Sequence, residues 1–309
     1  MPVNWLRYVL LFSVNMVLVA CLQTTPSEVR SPILTPSPTP IPERQLEYNL
    51  HQLPRSFVHT LKIPAQSRFV VTPALSSTLK TVEAFAETEA AIAVINGGFF
   101  DPENQKSTSS IILNGQQVAK PEDNERLMSN PNLLPYLDKI LNRSEFRRYR
   151  CDGIVQYDIV LRQELPPANC QLEEALGGGP QLLPFMTLEH EGFLDTQNGQ
   201  VVRDPLGSNQ PNARSAIGIT RDGSTIWVLA AQRSDAPNNS GLTLSELANF
   251  MKKLGVEKGM NLDGGSSAAM YYQGEVFYGK LDTAGQGSDR PVKSVLIVTS
   301  SQGLDQSTN

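Results

Sequence analysis

From Arg55 to Ser300 the sequence predicts a mixed α/β fold, a single catalytic domain with a mixed β-sheet core flanked by helices. Short β-rich apolar runs recur along this stretch, turn dipeptides join several of them, and two segments carry helical periodicity with capping residues. The length agrees. A chain of 309 residues, 40% hydrophobic and 18% charged, buries a full core, and one domain of about 250 residues with an N-terminal extension accounts for it. The net charge of -5, without any run of lysine or arginine, argues against a polyanion-binding surface, so nucleic acid is not an expected partner.

In chain order the first feature is residues 1–20. Arg7 precedes an apolar stretch from Tyr8 to Ala20 that only Ser13 and Asn15 interrupt, and Leu18-Val19-Ala20-Cys21 has the form of a bacterial lipobox. The stretch is too short to span a ~30 Å hydrocarbon core as a permanent helix. It predicts a lipoprotein-type signal peptide cleaved before Cys21, with Cys21 acylated and everything downstream outside the cytoplasm. The alternative is a signal anchor that is never cleaved. Residues 21–45 hold Pro26, Pro32, Pro36, Pro38, Pro40 and Pro42 among serines and threonines, a composition for an extended polyproline II tether. At ~3.1 Å per residue it reaches roughly 60 to 70 Å. The catalytic domain is expected over 46–300, with a disordered tail over 301–309.

Within the domain, strands are expected at Phe57 to Ile63, Phe69 to Thr72, Ala91 to Ile95, Ile111 to Leu113, Ile154 to Leu161, Ser215 to Thr220, Ile226 to Ala231, Gly259 to Leu262, Ala268 to Tyr272, Val276 to Tyr278 and Val292 to Thr299. Asn114-Gly115, Asp222-Gly223 and Gln273-Gly274 mark hairpins. One helix is expected from Thr81 to Thr88. A second runs from Thr243 to Leu254, where Thr243 and Glu246 make a capping box, Leu244, Leu247, Ala248, Met251 and Leu254 share a face, and Gly255 is the stop. The strand before it, the helix and the strand after it form a strand-helix-strand unit. That unit leaves Asp263 at a carboxyl end, where ligands bind in open α/β sheets. Residues 121–176, richer in charge and proline, read as an insertion over or beside the cleft. They contain Cys151 and Cys170, for which a disulfide worth ~3 kcal/mol is the simplest use in an exported protein. A metal pair is the alternative, but no zinc spacing accompanies them and the histidines are only His51, His59 and His190.

Four punctuated segments carry the chemistry: Val94-Ile95-Asn96-Gly97-Gly98-Phe99-Phe100-Asp101, Gly177-Gly178-Gly179-Pro180-Gln181, Ala213-Arg214-Ser215-Ala216-Ile217-Gly218, and Asn261-Leu262-Asp263-Gly264-Gly265-Ser266-Ser267. The last sets a carboxylate and an amide in a tight glycine turn just after an apolar stretch, which is how a site is built. With Gly241-Leu242-Thr243-Leu244-Ser245-Glu246-Leu247-Ala248, their order and rough spacing resemble the phosphodiester glycosidase family from about Leu46 to Ser300. One departure is local: many relatives continue with Ser-Ser-Thr after three glycines, where this chain has Ser266-Ser267-Ala268-Ala269. A hydroxyl role at 268 or 269 is thereby in doubt, while Asn261 and Asp263 stay in place.

The resemblance implies a hydrolase acting on a sugar 1-phosphodiester. If the C1–O bond breaks, the leaving group is a phosphomonoester with a second pKa of ~6. It needs little protonation, so the usual pair of glycosidase carboxylates reduces to one carboxylate with cationic help. Asp263 is the candidate carboxylate, against a bland reading as an Asx turn before glycine. Arg214 is the candidate phosphate fork, against an ion pair on a strand edge. Asn96 and Asn261 are candidates to orient sugar hydroxyls or water, and Gly97, Gly98, Gly178, Gly179, Gly264, Gly265 and Ser266 to line the cleft with backbone donors. Asp101 divides between an acid/base or ligand role and a loop cap. Phe99 and Phe100 offer a sugar-stacking wall, but successive aromatics on a strand point opposite ways, so one belongs to the core.

Two rivals stand beside this reading. The first is a non-catalytic lipoprotein that binds envelope polysaccharide or exopolysaccharide in the same cleft. The second is a metal-dependent phosphodiesterase that breaks P–O, for which the histidines are few. No cofactor is expected, with a calcium or magnesium site built of oxygens as the alternative. No Gly-x-Ser-x-Gly elbow is present and no histidine stands in a motif, which disfavours a serine hydrolase triad.

Overall fold

Three antiparallel sheets share one apolar interior in the computed structural model, which describes residues 43–236, 239–282 and 284–300. The expected signal peptide, Cys21, nearly all of the tether and the tail lie outside the described residues. The largest sheet runs in the order β1 (Glu47–Leu53), β2 (Ser56–Ile63), β14 (Thr225–Ala231), β13 (Arg214–Thr220), β15 (Val256–Asn261), β10 (Gln181–Leu183). A second runs β17 (Glu275–Tyr278), β16 (Ala269–Tyr272), β4 (Ala93–Asn96), β18 (Val292–Ser300), β3 (Phe69–Lys80), and a third β6 (Gln116–Ala119), β5 (Ile111–Leu113), β9 (Cys170–Gly177), β7 (Ser144–Cys151), β8 (Ile154–Leu161). β11 (Asp195–Gln197) and β12 (Gln200–Arg203) form a separate ribbon. The helices are α1 (Val82–Thr88), α2 (Glu125–Met128), α3 (Leu137–Leu141) and α4 (Leu244–Lys253).

The α/β class holds, with few helices. The sheets are not mixed in direction, because every strand pairing among the described residues is antiparallel. The strand-helix-strand unit is real, but β13 lies between β14 and β15 and pairs with both. The open α/β sheet arrangement invoked for ligand binding is therefore absent among the described residues, and the cleft needs another origin.

Side-chain alternation explains the layering. On β14, Trp227 and Leu229 enter the shared interior, while Ile226, Val228 and Ala230 point outward under α4. α4 seals that outer face with Leu244, Leu247 and Met251, and its capping box is present as the sequence predicts. On β18, Leu296 and Val298 face the same interior, whereas Val295 and Ile297 pack under Val82, Phe85 and Ala86 of α1. Both strands are apolar through their centres, Ile226 to Ala231 and Val295 to Val298, because both faces are covered there.

Residues 121–176 are not an insertion. β7, β8 and β9 make most of the third sheet, and Phe146, Ile159 and Leu176 lie in one cluster with Leu61 and Trp227. Cys151 and Cys170 are register partners on β7 and β9 and form the expected disulfide.

Candidate functional site

The four punctuated segments converge where strand ends from all three sheets meet. Asn96 ends β4 and is fully buried. Its Nδ2 donates to the Asp263 carbonyl at 2.6 Å, and its Oδ1 accepts from the Ser215 hydroxyl at 2.6 Å and the Ala269 N–H at 3.2 Å. One amide thus ties the second sheet to the first. The Asp263 N–H donates to the Gly97 carbonyl at 3.0 Å, while the Gly97 N–H donates to the Ser294 carbonyl at 2.9 Å. Gly98 permits a close approach: a Cβ there would stand 2.2 Å from the Gly177 carbonyl oxygen.

Asn261 is equally buried, and its Nδ2 donates to the Gly179 carbonyl at 3.0 Å and the Leu262 carbonyl at 2.7 Å. The Gly178 N–H is spent on the Ser144 carbonyl at 2.9 Å and that of Gly179 on the Asn261 carbonyl at 2.8 Å. Glu191, buried beside them, accepts from the Ser144 N–H and hydroxyl, both at 2.8 Å, and from the Gln181 N–H at 2.9 Å. Asn96 is spent at both ends on holding loops together, and Asn261 does the same through its Nδ2, while its buried Oδ1 has no partner among the described residues. The Gly178 and Gly179 amides likewise have no N–H left for an oxygen of the substrate.

Arg214 also takes a different part from the one the sequence suggests. Its Nε donates to the Leu242 carbonyl at 3.0 Å, Nη1 to Leu206 at 2.9 Å, and Nη2 to Gly207 at 2.8 Å and Gln210 at 3.0 Å. The side chain is buried, and burial pushes its pKa down to about 10 against the pull of the Asp204 carboxylate. A guanidinium spent on four carbonyls has no fork to offer a phosphate; it pins the 206–210 loop and the segment before α4 to β13.

Asp263 is the carboxylate that stays available. It keeps part of its surface open while protein closes around the rest. Burial pushes its carboxyl up to about 6, against the downward pull of the Ser267 hydroxyl, the Arg290 cation and the Gly264 N–H. Gly265 continues the turn at φ 59°, its N–H bound to the Ala213 carbonyl at 2.8 Å. Arg290 Nη1 donates to the Ser266 hydroxyl at 2.7 Å, and its guanidinium lies 5.4 Å from the centre of the Phe100 ring. Sequence reasoning missed Arg290 because it follows a polar loop outside every motif.

The two phenylalanines diverge as expected. Phe100 packs toward the α1 cluster, whereas Phe99 stands 5.6 Å from the Phe193 ring, with Arg143 5.8 Å from its centroid. Asp101 is a loop cap: it accepts from the Glu103 N–H at 2.9 Å and pairs with Arg126 at 2.7 Å. No group of three or more His, Cys, Asp or Glu side chains among the described residues is placed to hold a metal ion.

A family model described as phosphodiester glycosidase matches residues 89–299. No curated protein matches the chain significantly. Among solved structures, the zebrafish N-acetylglucosamine-1-phosphodiester alpha-N-acetylglucosaminidase catalytic domain, auto-inhibited by pro-peptide, is similar at a TM-score of 0.59 and 17% identity, with 82% of each chain covered. A putative exported protein from Burkholderia pseudomallei gives 0.57 and 15%, covering 79% of this chain and 74% of that one. A hypothetical protein from Synechocystis gives 0.54 and 15% over 82% of this chain, which spans 61% of that protein. At such identities the likeness carries the fold.

Proposed function

The chain belongs to the phosphodiester glycosidase family, and from that premise we propose that it cleaves the C1–O bond of a sugar 1-phosphodiester on an envelope or extracellular glycan. The donor sugar is N-acetylglucosamine or a close analogue, the unit for which the zebrafish fold neighbour is named. The observation that carries the reading is Asp263, a carboxylate partly open to solvent at the meeting point of the four motifs, with a cation beside it.

The chemistry asks for little else. As C1–O breaks, the bonding pair leaves with the phosphate oxygen and positive charge develops at C1, where the Asp263 anion stabilises it. Water then supplies hydroxide to C1 and a proton to the departing phosphomonoester. Arg290, fixed by Ser266 and Phe100, takes the phosphate role that the sequence suggests for Arg214. Buried Asn96, Asn261 and Arg214 keep Asp263 in place.

The lipobox and proline-rich tether support export and anchoring of the chain by a lipid on Cys21, with the domain facing the periplasm or the cell exterior. The test of the reaction is hydrolysis of a GlcNAc-1-phosphodiester in 18O-water. Label in the sugar hydroxyl is the expected result; label in the phosphate means P–O cleavage and removes the proposal.

A further inference from the structure

Beyond Phe99 lies a second group of cations that the reaction above does not use. Arg143 and Arg203 hang from consecutive carbonyls: Arg143 Nε donates to Glu191 at 3.1 Å and Arg203 Nε to Gly192 at 2.7 Å. Each guanidinium also lies over an aromatic ring, Arg143 3.7 Å from the Phe193 centroid and Arg203 4.8 Å from that of Tyr136. Stacking and one Nε bond fix the plane of each group and leave its Nη edge as a preset fork.

Among the described residues neither Nη edge has an acceptor and neither arginine has an ion-pair partner. The two fully buried arginines are provided for: Arg147 pairs with Glu145 at 2.9 Å, and Arg214 holds its four carbonyls. Two carboxylates do stand near the pair. Glu191 accepts from Ser144, Gln181 and Thr187, and Asp195, the register partner of Arg203, accepts from the Tyr136 hydroxyl at 2.7 Å. Burial pushes Arg143 down to about 9, with Glu191 opposing and the like charge of Arg203 adding to the fall.

We propose that Arg143 and Arg203 together form an oxyanion-binding site for a phosphoryl or carboxylate group carried by the glycan beyond the bond that is cut. Two partly buried like charges near one another repel, and an anion bound to both removes that cost while satisfying the free N–H groups. Phe99 links the site to the cleft, because Arg143 approaches its ring and Gly97, two residues earlier, holds the Asp263 N–H. The proposal rests on the glycosidase reading only in assigning the anion to the glycan.

The test is binding, which proceeds without turnover. Inorganic phosphate and glucuronate are titrated separately into the full chain carrying Arg290→Gln, which silences the phosphate contact beside Asp263, and thermal stabilisation is followed at low ionic strength. At least one anion is expected to stabilise the chain, and adding Arg143→Gln or Arg203→Gln is expected to weaken it by about tenfold or more. Response to phosphate alone names a phosphoryl group, response to glucuronate alone a carboxylate, and response to both a general oxyanion site. Stabilisation by neither anion, or binding unchanged by both substitutions, overturns the proposal. Should Arg143→Gln fail to fold, Arg203→Gln and Arg143→Lys decide, the latter keeping the charge without the fork and expected to bind more weakly than arginine. Absence of C1–O cleavage leaves this binding result standing, so the two readings fail separately.

Discussion

The floor of the cleft and its rim are both polar, yet they are built on opposite principles. On the floor, Asn96, Asn261 and Arg214 are buried within motifs and bonded to backbone carbonyls and neighbouring hydroxyls. On the rim, Asp263, Arg290, Arg143 and Arg203 carry charge, keep some surface open and form no ion pair within 4 Å among the described residues. A polar side chain in a motif thus has two distinct uses. Buried amide and guanidinium donors spent on the backbone set the loop geometry, and charge with open surface is what a ligand can meet.

The comparison breaks if a rim substitution unfolds the protein or a floor substitution spares it. The largest effect is expected for Asp263→Asn, which should cut turnover by at least ~100-fold. Its melting temperature should not fall at neutral pH. The folded carboxyl titrates near 6, above its ordinary value of 3.8, so its contribution to stability is present below about pH 4 and lost as pH rises through 6. The neutral amide should therefore melt a few degrees higher than wild type at pH 7.5 and level with it at pH 4. A lower melting point at pH 7.5 would place Asp263 on the floor. Next comes Arg214→Ala, which strips donors from four carbonyls at ~1 kcal/mol or more each and should lower the melting temperature by roughly 5 to 10 °C. Unchanged melting with lost turnover would return Arg214 to the rim. The smallest effect is Cys151→Ser, remote from both regions, which should lower melting by a few degrees under oxidising conditions only; an equal loss in reductant would count against the disulfide.

Much of the fold is legible in the sequence wherever apolar alternation or a cap carries it. β14, β18 and α4 announce themselves through residues such as Trp227, Leu296 and Thr243. β7 and β9 do not, because their buried positions include Glu145, Arg147 and Glu174, and ion pairs such as Arg147–Glu145 and Arg148–Glu174 stand in for apolar packing. The hairpins at Asp152-Gly153 and Asn198-Gly199 lie outside the dipeptides read as turns, although both have positive φ throughout, 49° and 84°, then 52° and 77°, as Asn114-Gly115 does. The gathering of the motifs is legible, but the role of each polar residue is not. Saturation of Arg214 depends on carbonyls of Leu206, Gly207, Gln210 and Leu242, and no local pattern in the sequence tells a donor that will be spent from one that stays free. Arg290, Arg143 and Arg203 are invisible for the complementary reason, since each gains its place from a distant aromatic ring.

The most direct test of this division is the pH dependence of kcat/KM on a GlcNAc-1-phosphodiester, measured for the wild type. If the ionised Asp263 works at C1, activity falls about tenfold per pH unit below an apparent pKa near 6, the value to which burial lifts its carboxyl. A profile flat down to pH 4.5 would contradict the assignment, and with it the claim that the rim performs the chemistry while the floor holds it in place.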